Sequence, residues 1–462
     1  MIYYVVVFLM LAVYVVLARR ISPHAAMAIL VPLTWLFPAW FLLPIAPGPS
    51  DSIVGSGVDI KVGVTTGCLI LYCFMPGRTF PLRLVWADYA MLVLFLTHIV
   101  SDTSNGGLSL FTFGRAYAEW YLPYVAGRIC ISSRDDLRFA WVVPAALAVL
   151  FGFAALAEGL LHFRVFEWFA GVRPLEGASR DVERWGMVRA YGPTMHPIYF
   201  GVVQLLLLGW VCYAARQSLI KRCNAIWALS PLPAMLGIFC TASRGPLLGL
   251  GVLAFAGLFV YLKRLRLPLA MLLAVGVLAG VWKSNEIIER LERWSGERKR
   301  DIVIRGEDRE YSSVKSRILT WEINKIALRR SGLLGFGTEA VSGFPINVPL
   351  GEMELETFKQ AWSVENSYLL LTLRFGYLGL ISFAAAAGLS LYQYLRLAEC
   401  YRDRSVGWLA TFVGAAVLAV LVVQLTVWMP HEIGFPLVWH LGLSSGLYLA
   451  HLDGKLTRKE RN

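Results

Sequence analysis

Arg189, Arg244 and Glu365 stand beside long apolar stretches, where a charged side chain is costly unless it has a partner or a task, and Arg317 lies in the loop between two such stretches. Arg189, Arg244 and Arg317 carry guanidinium groups, which are permanently charged and bind phosphate oxygens in a bidentate manner. Glu365 carries a carboxylate, which can accept a proton from a hydroxyl group when it is partly removed from water. These residue types indicate a site where cations hold a phosphate-containing group while a base activates a hydroxyl.

Each of these residues also has a simpler interpretation. An arginine at a membrane interface can extend toward lipid phosphates, and Glu365 can cap the helix that follows it. Arg244 favours a functional role most strongly, because the short segment 241–246 contains no acidic residue that would neutralise it. Asn366 and Ser367 are themselves able to cap a helix, which leaves Glu365 available for other chemistry.

The composition predicts a protein that crosses a membrane many times. Of 462 residues, 57% are hydrophobic and 16% are charged, well below the roughly 25% charged share of soluble domains. Because about 20 apolar residues cross a bilayer and no period-2 alternation is present, we predict an all-α polytopic membrane protein with about 12–13 transmembrane helices. The apolar stretches are centred within 1–17, 25–45, 62–75, 84–100, 113–126, 139–162, 196–213, 226–240, 246–262, 268–283, 367–392, 407–428 and 436–451.

The basic residues predict the orientation. With the N-terminus outside, the predicted cytoplasmic segments contain 20 Lys and Arg against 6 Asp and Glu, and the short outside loops contain 8 against 8. This positive-inside pattern explains the net charge of +12 better than nucleic-acid binding does. The predicted divisions are N-terminal helices (1–162), central helices with an outside loop (163–283), a large outside loop (284–366), and C-terminal helices with a cytoplasmic tail (367–462).

The large outside loop contains signals of internal order. Two runs of apolar residues recur at helical spacing and predict amphipathic helices: Ile287, Ile288, Leu291 and Trp294, then Val314, Ile318, Trp321 and Ile326. The glycine-rich segment 331–337 predicts a turn that ends the second helix, because glycine tolerates positive φ.

Four short segments at the outside ends of predicted spans contain the candidate site residues: 189–197, 241–246, 316–321 and 364–369. Each offers a cation or a carboxylate at the same membrane face, so we expect them to converge on one vestibule. Tyr191, His196, Ser243 and Asn366 lie beside the charged residues and are candidate substrate contacts. For His196, a purely structural hydrogen-bonding role is the alternative.

Asp88 and Arg374 are single charges within predicted spans. Because such charges are costly in a bilayer, we expect them to form an ion pair or to line a polar cavity.

The motif that begins at Glu365 resembles one found in the O-antigen ligase and O-antigen polymerase superfamily of bacterial envelope glycosyltransferases. Glu365-Asn366, nine residues, Gly376, two residues and Gly379 resemble the family pattern of His, then Asn, Ser or Gln, nine residues, Gly, two residues, and a small residue or Tyr. Three further similarities precede it and extend the resemblance over about residues 185–392: Arg317…Trp321…Gly335-Phe336-Gly337 with the end of the family's periplasmic loop, Ser243-Arg244-Gly245 with its inter-span Ser-Arg motif, and Arg189…Gly192…His196-Pro197 with the start of the preceding span.

The resemblance implies a GT-C-like enzyme of the bacterial inner membrane with its active site facing the periplasm. Such an enzyme transfers a glycan from an undecaprenyl-diphosphate carrier to an acceptor sugar hydroxyl, with inversion and without a metal or other cofactor. The three arginines would neutralise the departing diphosphate, and Glu365 would deprotonate or orient the acceptor hydroxyl. Tyr191 and Asn366 would position sugars. Membrane lipids and other polysaccharide-assembly proteins are the further partners implied.

Glu365 stands where the family's ligases carry a histidine, and a carboxylate is the weaker base. This departure favours a polysaccharide polymerase over a ligase that acts on lipid A core. A transporter or flippase of lipid-linked oligosaccharide is a further alternative. Such a protein would need charged residues at the membrane midplane and preferably inverted repeats, whereas the predicted spans here are nearly free of charge. A nonenzymatic assembly partner is the last alternative.

Overall fold

The structure is a computed structural model. It describes residues 2–44, 57–79, 82–171, 183–221, 225–283, 286, 289–290, 300–304, 307–311, 315–341, 364–402 and 404–456. The first predicted amphipathic helix, with Ile287, Ile288, Leu291 and Trp294, lies outside the described residues, and so does the side chain of Arg317.

The described chain is built mainly from α-helices. In chain order they are α1 (Ile2–Arg20), α2 (Pro23–Leu33), α3 (Ile60–Tyr72), α4 (Trp86–Gly106), α5 (Leu110–Ala116), α6 (Leu122–Ile129), α7 (Leu137–Ala140), α8 (Val142–Leu161), α9 (Val165–Ala170), α10 (Pro197–Lys221), α11 (Ala225–Leu229), α12 (Pro231–Cys240), α13 (Arg244–Tyr261), α14 (Arg266–Trp282), α15 (Lys315–Ser331), α16 (Gly337–Ala340), α17 (Ser367–Cys400), α18 (Ser405–Val423) and α19 (His431–Leu452). A π-helical turn, Tyr117–Tyr121, joins α5 to α6, and short 3₁₀ turns occupy Thr34–Leu36 and Lys263–Leu265.

Short antiparallel strand pairs occupy three connecting segments. Strand β1 (Leu42–Pro44) pairs with β2 (Gly57–Asp59), β3 (Glu183–Arg184) pairs with β4 (Met187–Val188), and β5 (Arg300–Ile304) pairs with β6 (Glu307–Tyr311).

The helices confirm an all-α polytopic membrane protein. Each of the predicted apolar stretches overlaps a helix. Among the described residues, seven helical segments are long and apolar enough to cross a membrane, namely α1, α7 with α8, α10, α13, α17, α18 and α19. The total of 12–13 transmembrane helices stays a prediction, and so does the GT-C-like architecture.

Helices α10, α18 and α19 are the most buried of these spans. Helix α6 crosses α19 so closely that a Cβ added at Gly442 would lie 2.0 Å from the carbonyl oxygen of Tyr124. A Cβ at Gly127 would lie 2.0 Å from the carbonyl oxygen of Trp439. Small residues allow such close backbone approach between membrane helices, where packing replaces the hydrophobic effect as the attractive force.

The predicted ion pair between Asp88 and Arg374 is wrong. Arg128 Nε donates to Asp88 Oδ1 at 2.8 Å, and the Tyr124 hydroxyl donates to the same oxygen at 2.8 Å. Asp88 lies in the first turn of α4, whereas the carbonyl of Arg374 accepts a hydrogen bond from Ser101 near the other end of α4. At 1.5 Å per residue these two levels are about 20 Å apart, so Asp88 and Arg374 cannot meet.

Helix α17 is broken at Gly376, where φ is 67° and ψ is −169°. The amides beyond the break donate to the predicted glycine-rich turn: Tyr377 N–H to the Gly332 carbonyl at 3.1 Å and Leu378 N–H to the Leu333 carbonyl at 3.2 Å. In return, Phe336 N–H donates to the Leu373 carbonyl at 2.8 Å. The end of α15 at Ser331 and the positive φ values in this turn confirm its prediction.

Two glycines allow the backbone of α17 to approach the backbone of the turn 331–337 closely. A Cβ at Gly376 would lie 2.2 Å from the carbonyl carbon and oxygen of Leu333, and a Cβ at Gly335 would lie 2.4 Å from the carbonyl oxygen of Arg374. Both positions also have positive φ, so a side chain would add backbone strain to the collision. Gly376, the first glycine of the Glu365 motif, is therefore needed for the close contact between α17 and the turn 331–337.

We predict that Gly376→Ala lowers the free energy of unfolding by about 2–4 kcal/mol, because Gly376 combines a glycine-only conformation with a backbone collision. Thermal unfolding of the purified protein in detergent measures the effect. Gly388→Ala in the same helix is the matched control, because no heavy atom lies within 4 Å of its added Cβ. Equal stability of the two variants would contradict this account.

Candidate functional site

Arg244 is the first residue of α13 and is partly buried. It follows a tight turn after α12, in which Ala242 has a φ of 47° and Ser243 is the N-cap residue. The positive end of the α13 dipole adds to the charge of Arg244. The hairpin therefore presents a cationic corner between two apolar helices.

Arg189 holds this hairpin in place. Its Nε donates to the Thr241 carbonyl at 3.1 Å and its Nη2 donates to Ser243 Oγ at 2.8 Å. Arg184 adds a hydrogen bond from Nη1 to the Ala242 carbonyl at 3.2 Å. The structure thus brings together Arg189, Ser243 and Arg244 as predicted, and it gives Arg189 and Ser243 structural contacts within the hairpin.

The segment that contains Tyr191 is fixed by a glutamate that the sequence interpretation missed. Glu158 Oε2 accepts hydrogen bonds from Tyr191 N–H at 2.7 Å and from Gly192 N–H at 2.9 Å. Glu158 lies on α8 and is buried. Its isolation as the one acidic residue of the apolar stretch 139–162 was the available signal.

His196 is a neutral, hydrogen-bonded residue at the start of α10. Its Nδ1 accepts a hydrogen bond from Ile198 N–H at 3.2 Å. Burial, reinforced by the positive charges of Arg189 and Arg184, lowers the pKa of His196 to about 3. These observations support the structural alternative for His196, and its role as a substrate contact stays a prediction.

Asn366 is the N-cap of α17. Its Oδ1 accepts from Tyr368 N–H and Leu369 N–H, both at 3.0 Å, and its Nδ2 donates to the Leu425 carbonyl at 2.7 Å. Asn366 therefore caps α17, which is one of the capping roles that the sequence analysis considered for Asn366 and Ser367. Glu365, which is partly buried, lies one position before the cap.

The segment after α18 joins the Arg244 hairpin to the start of α17. Ser367 N–H donates to the Gln424 carbonyl at 3.0 Å, and Ser367 Oγ donates to the Val427 carbonyl at 2.6 Å. On the hairpin side, a Cβ at Gly245 would contact Val423 Cγ1 at 3.3 Å. Segment 423–427 therefore contacts Gly245, the residue after Arg244, and Ser367, two positions after Glu365.

A second glutamate that the sequence interpretation missed, Glu432, connects the segment 189–197 to α19. Glu432, in the first turn of α19, accepts from Met195 N–H at 3.1 Å and 3.2 Å through its two oxygens. Both Glu432 and Glu365 lie within electrostatic range of the Tyr199 hydroxyl. The segments containing Tyr191 and Glu365 thus lie at the same end of the helix bundle.

Arg317 lies on α15, and its side chain is outside the described residues. The helix itself packs near the site, since Leu319 and Ala327 of α15 share a buried cluster with Val364 and Leu369 beside Glu365. The part of the chain that the structure describes contains no group of three or more His, Cys, Asp or Glu side chains arranged to hold a metal ion.

Residues 229–384, about a third of the chain, match the model of the family described as O-antigen ligase. The match supports the resemblance of this chain to the O-antigen ligase and polymerase superfamily. This superfamily comprises glycosyltransferase-like membrane enzymes, in agreement with the apolar helices. Arg244, Arg317, Glu365 and the broken helix at Gly376 all lie within the matched residues, whereas Arg189, Tyr191 and His196 precede them. A search of curated proteins found no match to the chain.

We predict that His196 makes the protein less stable in mild acid. The unfolded chain takes up a proton at His196 near pH 6.5, but the folded protein does so only near pH 3. The unfolded state therefore binds more protons in this interval, and the contribution of His196 is complete above about pH 6.5 and lost as the pH falls toward 3. Thermal unfolding in detergent between pH 7.5 and 4.5 should show a shallower pH dependence for His196→Gln than for the wild type. Parallel curves would refute the assignment.

Proposed function

We propose that this protein transfers a glycan from an undecaprenyl-diphosphate carrier to a sugar hydroxyl of an acceptor. The observation that carries the proposal is that segment 423–427 contacts both Gly245, next to Arg244, and Ser367, two positions after Glu365. A permanent cation and a carboxylate at one end of an apolar helix bundle suit a substrate with an anionic leaving group and a neutral nucleophile.

The reaction assigns one task to each charged group. The acceptor hydroxyl oxygen attacks the anomeric carbon while its proton passes to Glu365. The bond between the anomeric carbon and the diphosphate oxygen breaks, and the electron pair leaves with the carrier diphosphate. Arg244 and Arg317 stabilise the charge that develops on this leaving group. Attack from the face opposite the diphosphate inverts the anomeric configuration, and no metal takes part.

Arg189 has a different task in this scheme. Because its guanidinium group is buried and bound to Thr241 and Ser243, it positions the hairpin from which Arg244 reaches the substrate. Tyr191 lies in the segment held by Glu158 and completes the sugar-binding side of the site, and Asn366 keeps Glu365 in place by capping α17.

A polymerase is the preferred member of the superfamily, with the growing polysaccharide as acceptor. The ligase reaction onto lipid A core is the alternative, and the glutamate at position 365 favours the polymerase. The proposed location is the bacterial inner membrane, with the four divisions of the chain as predicted and the site facing the periplasm. At this location the protein would meet its lipid-linked donor. Membrane lipids and other polysaccharide-assembly proteins would be its further partners.

We predict that Arg244→Ala lowers the rate of glycan transfer by about 10²–10³-fold, the usual cost of removing one electrostatic contact to a developing anion. The assay uses purified protein in detergent with an undecaprenyl-diphosphate-linked oligosaccharide, and it measures longer glycans and released carrier. Arg138→Ala is the matched control, because the Arg138 side chain is 75% exposed and pairs only loosely with Asp135 at 3.7 Å. Polymer of normal length from Arg244→Ala would refute the role of Arg244.

We predict that Glu365→Gln lowers the turnover number by about 10²–10⁴-fold, because the amide cannot accept the acceptor proton. Carrier-linked donor should still bind, so its KM should change little. Glu399→Gln is the control, since Glu399 is a carboxylate near the other end of α17 that pairs with Arg266 at 3.2 Å. Equal turnover for Glu365→Gln and the wild type would exclude Glu365 as the base.

The same assay, together with a transport measurement on protein reconstituted in vesicles, separates the alternatives. Transfer to lipid A core with no polymer growth would indicate a ligase. Donor that crosses the vesicle membrane with unchanged mass would indicate a transporter. Neither glycan transfer nor transport by the wild-type protein would indicate a nonenzymatic partner of polysaccharide assembly.

A further inference from the structure

A cavity of about 560 Å³ lies beside the candidate site. This volume falls within the ~300–1,000 Å³ typical of small-molecule sites. Three lining residues connect it to the site: Met195 adjoins His196, Ser367 lies two positions after Glu365, and Glu432 binds the Met195 amide. A ligand in the cavity would therefore lie next to the proposed reaction centre.

Aromatic rings form much of the cavity wall. Trp40, Trp120, Trp428 and Phe375 all line it. Trp120 is held in a fixed orientation, because its Nε1–H donates to His98 Nδ1 at 2.9 Å. Sugar rings have apolar C–H faces and polar edges, so they suit pockets that combine aromatic surfaces with a few polar groups.

Two arginines, Arg115 and Arg374, line the cavity. Arg374 has a buried Nε with no hydrogen-bond partner within the described part of the chain, and its Nη2 makes a long 3.4 Å contact with the Val341 carbonyl. Arg115 approaches Asp102 only to 4.0 Å. Asp102 already accepts from Thr338 N–H at 2.6 Å and contacts His98 Nε2 at 3.2 Å. Both guanidinium groups therefore retain donors for a ligand.

The described lining residues include three carboxylates, Asp59, Glu119 and Glu432, and each has a partner within the protein. Glu119 lies 3.7 Å from His98 Nδ1, and Glu432 accepts a hydrogen bond from the Met195 amide. Asp59 pairs with Lys61 at 2.9 Å and contacts His431 at 3.2 Å. Burial alone would raise the pKa of Asp59, but Lys61 and His431 hold it below its usual range, so Asp59 is a paired carboxylate.

We propose that this cavity binds the acceptor end of the glycan, and that Arg115 and Arg374 select an acceptor whose sugar carries a carboxylate, such as a uronic acid. The tryptophan rings pack against the sugar faces, and the two guanidinium groups bind the carboxylate. A carboxylate would satisfy the buried Nε of Arg374, which is otherwise costly to leave unbonded. The inference rests on the proposed function for the meaning of the acceptor, and it names the substrate class.

Binding without any donor tests this inference separately from glycan transfer. The probes are a disaccharide that ends in glucuronic acid and the same disaccharide with glucose at that position, each titrated calorimetrically into the purified protein in detergent. We expect the acidic probe to bind the wild type at least about tenfold more tightly, as charge-assisted hydrogen bonds typically provide. In Arg115→Gln and Arg374→Gln the preference should fall to less than about threefold.

Arg138→Gln is the control, because it removes an exposed arginine and should keep the full preference. Arg374→Lys keeps the charge and should restore part of it, which separates recognition from a loss of folding. Equal binding of the two probes to the wild type, or an unchanged preference in both glutamine variants, would overturn the inference. Displacement of the acidic probe by farnesyl diphosphate would assign the arginines to the lipid carrier and would overturn it as well.

If the acidic probe binds as expected but no glycan transfer is found, the pocket assignment holds and the proposed reaction fails. If transfer occurs but proceeds equally with acidic and neutral acceptors, the reaction holds and the acceptor class is wrong.

Discussion

A helix that breaks inside a membrane protein must find new partners for the backbone groups it exposes, because hydrocarbon offers none. In this protein the turn 331–337 provides those partners for α17 at Gly376. The same contact fixes the end of the large loop to the helix that begins just after Glu365. The broken helix therefore contacts the turn that follows α15, begins two positions after Glu365, and lines the cavity through residues such as Arg374 and Phe375.

The arginines near the site divide into two kinds according to their contacts. Arg189 is buried against carbonyl and hydroxyl oxygens of a turn, so its charge stabilises local structure. Arg115 and Arg374 line a cavity, and among the described residues Arg374 Nε has no hydrogen-bond partner. A guanidinium group has five donors, and its role follows from how many of them the protein itself uses.

Glu365 stands just outside the capping contacts at the start of α17. Asn366 caps α17, so Glu365 is not needed for the helix terminus. Glu432, in the first turn of α19, accepts a hydrogen bond from the Met195 amide and is a second acidic group at this end of the bundle.

Local features of the fold were readable from the sequence. Hydropathy predicted the helices, and the glycines predicted the turn after Ser331, because span length and positive φ depend on neighbouring residues alone. The partners of single charges were not readable. Asp88 pairs with Arg128 and Glu158 holds the Tyr191 segment, since these contacts depend on which helix ends meet in the folded bundle. Sequence alone thus determined the membrane class and the motif residues, whereas tertiary packing decided which charges serve structure and which line the cavity.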